Sequence, residues 1–230
     1  MRALIFGSTG MVGQGVLREC LLAPDVDAVT IVVRQGTGNQ HEKLRELQHQ
    51  DFFNYAAVES QLVGFDACFF CVGMTAAGKS EAEYTRLTYD LTMAAATTVA
   101  RLNPQMTFVY VSGAGADSSE KGAVMWARVR GRLENALFRL PFKSTYVFRP
   151  GIIQPLHGAR SQTGSYRVLY TLMAPALPLL RALFPKSIVT TQSIGQAMLE
   201  VATRGWPKKL LPAAEIAAAA ARRATKTSVG

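Results

Sequence analysis

Three glycines stand at three-residue spacing near the start of the chain, in the segment Gly7-Ser8-Thr9-Gly10-Met11-Val12-Gly13. They follow a continuous apolar run, Ala3 to Phe6, which is typical of a strand buried on both faces. In such a turn one glycine bends the chain, a second lets the backbone approach a pyrophosphate, and a third lets helix and strand pack closely. The segment therefore predicts a dinucleotide-binding turn, and a plain glycine-rich connection is the alternative.

The second predicted strand, Val29 to Arg34, ends in a basic residue about 20 residues beyond the glycine turn. An acidic residue here would accept hydrogen bonds from the ribose 2′-hydroxyl of NAD, whereas an arginine suits the 2′-phosphate of NADP. No aspartate or glutamate lies between Asp27 and Glu42. We therefore expect NADP(H) as the favoured cofactor, with NAD(H) as the alternative if Arg34 is only a solvated strand end.

Five motifs, in order along the chain, resemble those of the short-chain dehydrogenase/reductase superfamily. They are Phe6-Gly7-Ser8-Thr9-Gly10, Cys71-Val72-Gly73-Met74-Thr75, Val111-Ser112-Gly113-Ala114-Gly115-Ala116-Asp117, Gly131-Arg132-Leu133-Glu134 and Phe148-Arg149-Pro150-Gly151. The chain is most similar to the atypical and extended branches, which include Tat-interacting-protein-like oxidoreductases and NAD-dependent epimerase-like proteins. The resemblance covers roughly residues 3 to 203, and it is specific for a fold and a cofactor but not for a substrate.

The resemblance implies which residues line the cofactor. In the family the glycine turn binds the pyrophosphate. Val72 and Gly73 would line the adenosine ribose, and Asp51 with Phe52 would bracket the adenine. The stretch Pro150-Gly151-Ile152 would run beside the nicotinamide.

The resemblance also implies a catalytic pair that this chain lacks. The family uses a Tyr-x-x-x-Lys pair, which lies on one helix face, and here the matching positions read Trp126 and Arg130. An indole N–H only donates and does not serve as a general acid, whereas Arg130 can still bind ribose hydroxyls while remaining charged. Ser112 matches the region of the family's catalytic hydroxyl, but Gly113 matches that place equally well.

Two hypotheses follow for the chemistry. In the first, the protein is an oxidoreductase or epimerase-like enzyme acting on a small carbonyl or hydroxyl compound, with Ser112 and either Trp126 or His157 orienting it. His157 would supply the missing acid, and the alternative is a loop histidine without a role. In the second, a cofactor-sensing or scaffold protein has kept the nucleotide site and lost the acid. Tyr84 is interpreted as a packing residue, and no metal site is expected.

The elements that position these residues alternate between strands and helices, which predicts a Rossmann-like doubly wound parallel sheet. A third strand is expected at Asp51 to Phe53, with residues 40–50 helical or in a loop, and long helices at 80–102 and 122–140. We expect one NAD(P)-binding domain over residues 1–212, with a small substrate-side cap at about 151–190 that includes an apolar helical segment at 166–184. A helix and basic tail would occupy residues 213–230.

Composition limits the remaining possibilities. The 230 residues carry a formal net charge of +9, but no basic-aromatic interleaving accompanies it, so no nucleic-acid partner is expected. No apolar stretch approaches the roughly 20 residues of a transmembrane helix. Three cysteines and a strand at the very start predict a reduced, cytoplasmic protein without a signal peptide. The resemblance is compatible with a homodimer, and the small-molecule substrate stays unknown.

Overall fold

The computed structural model describes residues 1–159 and 188–227. The strands are β1 (Arg2–Phe6), β2 (Ala28–Val33), β3 (Leu44–Gln48), β4 (Ala67–Phe70), β5 (Thr107–Val111), β6 (Ser144–Arg149), β7 (Ile152–Gln154), β8 (Ile188–Thr190) and β9 (Leu210–Pro212). The helices are α1 (Met11–Leu22), α2 (Glu81–Thr85), α3 (Leu91–Leu102), α4 (Met125–Leu137), α5 (Thr191–Arg204) and α6 (Ala213–Thr227). A 3₁₀ helix spans Ala56–Gln61, and a π-helical segment, Arg86–Asp90, joins α2 to α3.

Seven strands form one parallel sheet in the order β3-β2-β1-β4-β5-β6-β9. The chain runs outward from β1 to β3 and then crosses back to β4, on the other side of β1. This reversal opens a crevice beyond the carboxyl ends of β1 and β4, where open α/β sheets bind their ligands. The predicted doubly wound fold is confirmed, and a separate β7-β8 pair lies beside it.

The central strands form because their residues are buried on both faces of the sheet. Along β1, Ala3 and Ile5 belong to one apolar cluster, and Leu4 and Phe6 belong to another. The first cluster includes residues of α1, α5 and α6, and the second includes residues of α3 and α4. The alternation of faces that strand geometry imposes therefore divides a continuous apolar run between two helix layers.

The third strand does not lie where the sequence predicted it. Residues 44–48, expected to be helical or in a loop, form the edge strand β3, while Asp51 to Phe53 lies in a turn. Only Leu47 of β3 is buried, and the strand carries Arg45 and Glu46. Edge strands commonly carry charged side chains, and these hide the hydrophobic pattern on which a sequence-based assignment depends.

The two long helices predicted from the sequence differ from the observed ones in two ways. Ser80 caps α2 with a reciprocal capping box to Glu83, but the predicted long helix changes to π-helical hydrogen bonding at Arg86–Asp90. The helix expected at 122–140 is shorter, Met125–Leu137. Helix α6 packs its apolar residues into the same core as α1 and α5. The segment predicted at 166–184 lies outside the described residues, and the division into domain, cap and tail stays a prediction.

Candidate functional site

The glycine turn connects β1 to α1 at the mouth of the crevice. Gly7 has a positive φ of 79°, and the N–H of Gly10 donates to the Gly7 carbonyl at 3.1 Å. A methyl group on Gly7 would lie 2.7 Å from the carbonyl carbon of Cys71 and the backbone nitrogen of Val72. A methyl group on Gly13 would lie 2.0 Å from the Gly7 carbonyl oxygen. Both positions therefore require glycine, because the turn is pressed against α1 on one side and the loop after β4 on the other.

The turn leaves hydrogen-bond donors for an anion. Gly10 is the N-cap of α1 and supplies no side-chain cap, so the first N–H groups of the helix are left for another acceptor. The positive end of the helix dipole lies at the same place. The Ser8 hydroxyl is buried, with 3% of the residue exposed, and has no hydrogen-bond partner among the described residues. An orphaned hydroxyl beside uncapped amides fits a diphosphate.

Arg34 lies immediately after β2, the strand that pairs with β1. Its side chain is exposed, and within residues 1–159 and 188–227 no hydrogen bond or ion pair holds it. Glu46, the acid closest to this loop in the sheet, is occupied by Thr37, whose backbone N–H and hydroxyl both donate to its carboxylate. A positive charge is thus available at this edge of the crevice, with no carboxylate committed to it.

The residues predicted to bracket an adenine follow β3. The Asp51 carboxylate accepts a hydrogen bond from the Phe53 N–H at 2.9 Å, which stabilises a tight turn. Phe52 is partly buried and packs edge-on against Phe6, with ring centroids 6.3 Å apart. On the opposite side of the crevice, a methyl group on the exposed Gly73 would meet no atom within 4 Å. The space next to Gly73 is therefore open.

Ser112 lies directly after β5 and is held in a buried network. Its hydroxyl donates to Glu134 of α4, and Glu134 is fully buried. The Nε of Arg149, at the end of β6, donates to both oxygens of Glu134 at 3.1 Å. The network ties two strands to a helix, and it engages the Ser112 proton inside the protein.

Trp126 and Arg130 lie one turn apart on α4 and contact the loop that follows β5. The Trp126 ring lies over Gly115, where a methyl group would be 3.2 Å from its Cη2. The Arg130 Nε donates to the Tyr84 hydroxyl at 2.9 Å, and its Nη1 would be 3.0 Å from a methyl group on Gly113. Of the two residues matched to the catalytic hydroxyl, Gly113 is thus the one beside Arg130. The contact with Tyr84 was missed, because its partner is 46 residues away.

Arg130 and the neighbouring Tyr110 do not titrate near neutral pH. Burial acts to lower the pKa of Arg130, but the neighbouring Tyr110, Tyr84 and Glu134 raise it above its usual value. Burial raises the pKa of Tyr110 to about 12, although the charge of Arg130 opposes this shift. Arg130 therefore stays a cation and Tyr110 stays a neutral phenol at physiological pH.

The loop after β6 adjoins the loop after β5, since the Ala114 N–H donates to the Pro150 carbonyl at 3.0 Å. Beyond it, Gly151 and Ile152 are exposed, and β7 begins at Ile152. The segment that resembles the nicotinamide-flanking stretch thus lies beside the strand end that carries Ser112 and Gly113.

His157 is placed away from α4. It has a positive φ of 55°, and its Nε2 lies 3.4 Å from the Gln192 side-chain oxygen. It lines a small cavity of about 100 Å³ with Gln14 and Arg18 of α1 and the start of α5. No described residue of α4 lines this cavity. The structure therefore does not bring His157 to the helix that carries Trp126 and Arg130.

No family model matches this chain. Curated relatives match about two thirds of it. Protein FMP52, mitochondrial, of Candida albicans is 27% identical over 157 residues, covering 66% of this chain and 67% of its own length. FMP52-2 of Scheffersomyces stipitis is 30% identical over 154 residues and 66% of each chain. The fmp52 protein of Emericella nidulans is 28% identical over 180 residues, covering 75% of this chain and 74% of its own.

Solved structures match over nearly the whole chain. A short chain dehydrogenase family protein of Francisella tularensis superposes with a TM-score of 0.64 at 15% identity, covering 95% of this chain and 98% of its own. UDP-N-acetylglucosamine 4-epimerase of Methanobrevibacter ruminantium superposes with a TM-score of 0.65 at 14% identity, covering 91% and 74%. The chain has the short-chain dehydrogenase/reductase fold. The resemblance predicted from its motifs is confirmed at this level.

The predicted cytoplasmic location is wrong. The cysteine content and the strand at the start of the chain predict a cytoplasmic protein, but the curated relatives are named as mitochondrial proteins in several fungi. A reduced-thiol composition does not distinguish the cytosol from other reducing compartments, which explains the error. Among the described residues, no helix has both the length and the apolar character needed to cross a bilayer.

Proposed function

We propose that this protein binds NADP(H) and belongs to the oxidoreductase type of the short-chain dehydrogenase/reductase fold. The observation that carries the proposal is the glycine turn, whose uncapped helix end and orphaned Ser8 hydroxyl fit a diphosphate. The names of the relatives add a mitochondrial location to the proposal.

Arg34 supports NADP(H) over NAD(H). Its guanidinium is exposed at the end of β2, and no described carboxylate competes for it. A 2′-phosphate carries the charge and the acceptor oxygens that a guanidinium fork binds, whereas a 2′-hydroxyl carries no charge.

The bound cofactor would supply a hydride to a small carbonyl compound, or accept one from a hydroxyl compound. The chain's own part is to bind and orient. The turn of Gly7 and Gly13 would hold the diphosphate, and Pro150 and Ile152 would lie on the nicotinamide side. Arg130 presents its guanidinium beside Gly113. Proton transfer at the position of Trp126 is absent from this scheme, because an indole does not titrate in the useful range.

A cofactor-sensing or scaffold protein is the second candidate, and two observations favour it. Trp126 stands at the position that the resemblance matches to the usual acid, and the Ser112 hydroxyl is engaged with Glu134 inside the protein. Losing a general acid costs about 10²- to 10⁴-fold in rate. A protein with this site can therefore retain binding while turnover falls below a useful level.

Nucleotide titration tests the binding proposal. We expect the wild type to bind NADPH more tightly than NADH, measured by the change in nicotinamide fluorescence. Arg34→Ala should weaken NADPH binding by about 10- to 100-fold, the value of charge-assisted hydrogen bonds, and leave NADH binding unchanged. Arg45→Ala is the matched control, because Arg45 is exposed on the neighbouring strand and its guanidinium binds Gln61. Equal losses for the two nucleotides, or absent NADPH binding, would contradict the proposal.

Turnover separates the two candidates. NADPH consumption at 340 nm is measured with a panel of small aldehydes and ketones. Turnover by the wild type supports the oxidoreductase. No turnover by the wild type, together with turnover by the double variant Trp126→Tyr/Arg130→Lys, supports a sensor that has lost the acid.

A further inference from the structure

Arg130 is a cation beside Gly113, at the carboxyl end of β5, and no carboxylate among the described residues forms an ion pair with it. It is partly buried, and only its Nε has a partner among the described residues, the Tyr84 hydroxyl. The nearest acid on its own helix, Glu134, is occupied by Arg149 and Ser112. Two other arginines of the same helix have partners for their guanidinium groups. Arg128 is ion-paired with Glu81, and Arg132 is exposed and stacks on Tyr89.

Gly113 makes room for this guanidinium. A methyl group on Gly113 would lie 3.0 Å from Nη1 and 3.8 Å from Cζ of Arg130, so any larger side chain would compete for the same space. The charge therefore lies where a side chain at position 113 would point, at the carboxyl end of β5. Both Nη nitrogens have no hydrogen-bond partner in the part of the chain that the structure describes.

The geometry of Arg130 selects a particular kind of ligand. Because the Arg130 Nε donates to Tyr84, the two Nη groups form the remaining fork of donors. Two parallel N–H donors with a positive charge match the two oxygens of a carboxylate. A ligand that brings a negative charge and two acceptor oxygens is stabilised here, because hydrogen bonds between charged groups are stronger than those between neutral groups.

We propose that Arg130 binds the carboxylate of an anionic substrate, so that the substrate class is a small carboxylic acid carrying a carbonyl or hydroxyl group. This inference rests on the proposed function for the position of the substrate, which lies between Gly113 and the nicotinamide side of the crevice. Binding of ribose hydroxyls by Arg130 is the competing role, and it predicts a different pattern of losses.

Titration calorimetry with malonate tests the inference, with neutral malonamide as the matched probe. Each probe is titrated with and without saturating NADPH. The wild type should bind malonate at least about tenfold more tightly than malonamide, as expected for a charge-assisted fork. The affinity should stay constant from pH 6.5 to 9, because the guanidinium stays charged and malonate stays ionised over that range.

Substitutions identify the residue. Arg130→Gln should lower the affinity for malonate by about tenfold or more and leave the NADPH affinity within about threefold. Arg130→Lys keeps the positive charge but loses the two parallel donors. Its affinity for malonate should therefore lie between that of the wild type and that of Arg130→Gln. Arg132→Gln, on an exposed position of the same helix, is the control and should change neither affinity.

The outcomes separate the two proposals. Unchanged malonate binding in Arg130→Gln and Arg130→Lys overturns the carboxylate assignment, as does a loss confined to NADPH, which indicates the ribose role. Absence of NADPH binding, with Arg130-dependent malonate binding, overturns the proposed function and leaves the carboxylate site standing. If Arg130→Gln does not fold, the lysine variant and the pH profile of the wild type decide.

Discussion

Replacing Gly13 with alanine is predicted to disturb the fold and the nucleotide turn together. The new methyl group would lie 2.0 Å from the Gly7 carbonyl oxygen and 2.8 Å from the Cα of Ser8, both backbone atoms. Helix α1 or the turn would have to shift by about 1 Å, and overpacking of this kind costs about 1–3 kcal/mol. For a chain of this size each kcal/mol lowers the melting temperature by about 2–4 °C, so we expect a decrease of about 2–12 °C.

Gly10→Ala is the matched variant in the same turn. Its methyl group would lie 3.4 Å from the Gly7 carbonyl oxygen, an ordinary contact, and the φ of −76° at Gly10 suits any residue. We expect its melting temperature to stay within about 2 °C of the wild type, because only the preference for glycine over alanine at an N-cap is lost. Both variants should bind NADPH more weakly than the wild type, since each alters the surface offered to the diphosphate.

Thermal unfolding followed by circular dichroism and NADPH titration are measured on the same samples. The reasoning is refuted if Gly13→Ala unfolds at the wild-type temperature, or if Gly10→Ala is destabilised as strongly as Gly13→Ala. If the melting temperatures change as expected but NADPH binding is unchanged in both variants, the packing argument holds. The glycine turn is then not part of the nucleotide site.

Three further predictions follow from groups outside the turn. Glu134→Gln should cost about 3–5 kcal/mol of unfolding free energy in urea denaturation, because it leaves the Arg149 charge without its buried partner, and a loss below about 1 kcal/mol would contradict this. Burial raises the pKa of the Cys71 thiol to about 12, so the native protein should not react with a disulfide reagent at pH 8; fast reaction of the folded protein would refute it. The Ser119 hydroxyl, with backbone N–H groups, holds the pKa of Asp117 below 3.8. The ionised Asp117 carboxylate should therefore stabilise the folded protein above pH 3.8. This stabilisation should disappear as the pH falls through the lower pKa of Asp117 in the folded state. Melting temperatures from pH 6 to 2.5 should show less acid dependence in Asp117→Asn, and identical curves would exclude the effect.

The central strands could be predicted because their signal is local. Apolar runs that include β1, β4 and β5 are continuous, since both faces of these strands are covered by helices. The edge strands gave no such signal. β3 carries charged residues, and β9 is three residues long, ends in Pro212 and pairs with β6, about 60 residues earlier in the sequence.

The candidate site was predictable where one segment supplies it. The glycine turn is complete within seven consecutive residues, so its spacing already specifies the geometry. The surroundings of Arg130 were not predictable, because they depend on Tyr84 from α2 and Gly113 from the loop after β5. The local sequence of α4 does not indicate which residues Arg130 will contact, because tertiary packing determines these contacts. The same applies to His157, whose neighbours come from α1 and α5.

The short ladder between β7 and β8 joins two segments that lie well apart in the sequence. Residues 152–154 pair in register with residues 188–190, and the Leu156 N–H donates to the Thr191 hydroxyl at 3.1 Å. The span between them is therefore fastened at both ends to the framework, and lengthening such a span costs little, because closure entropy grows slowly with length. Changes in the length of that span are therefore expected to leave the seven-stranded sheet and the glycine turn intact.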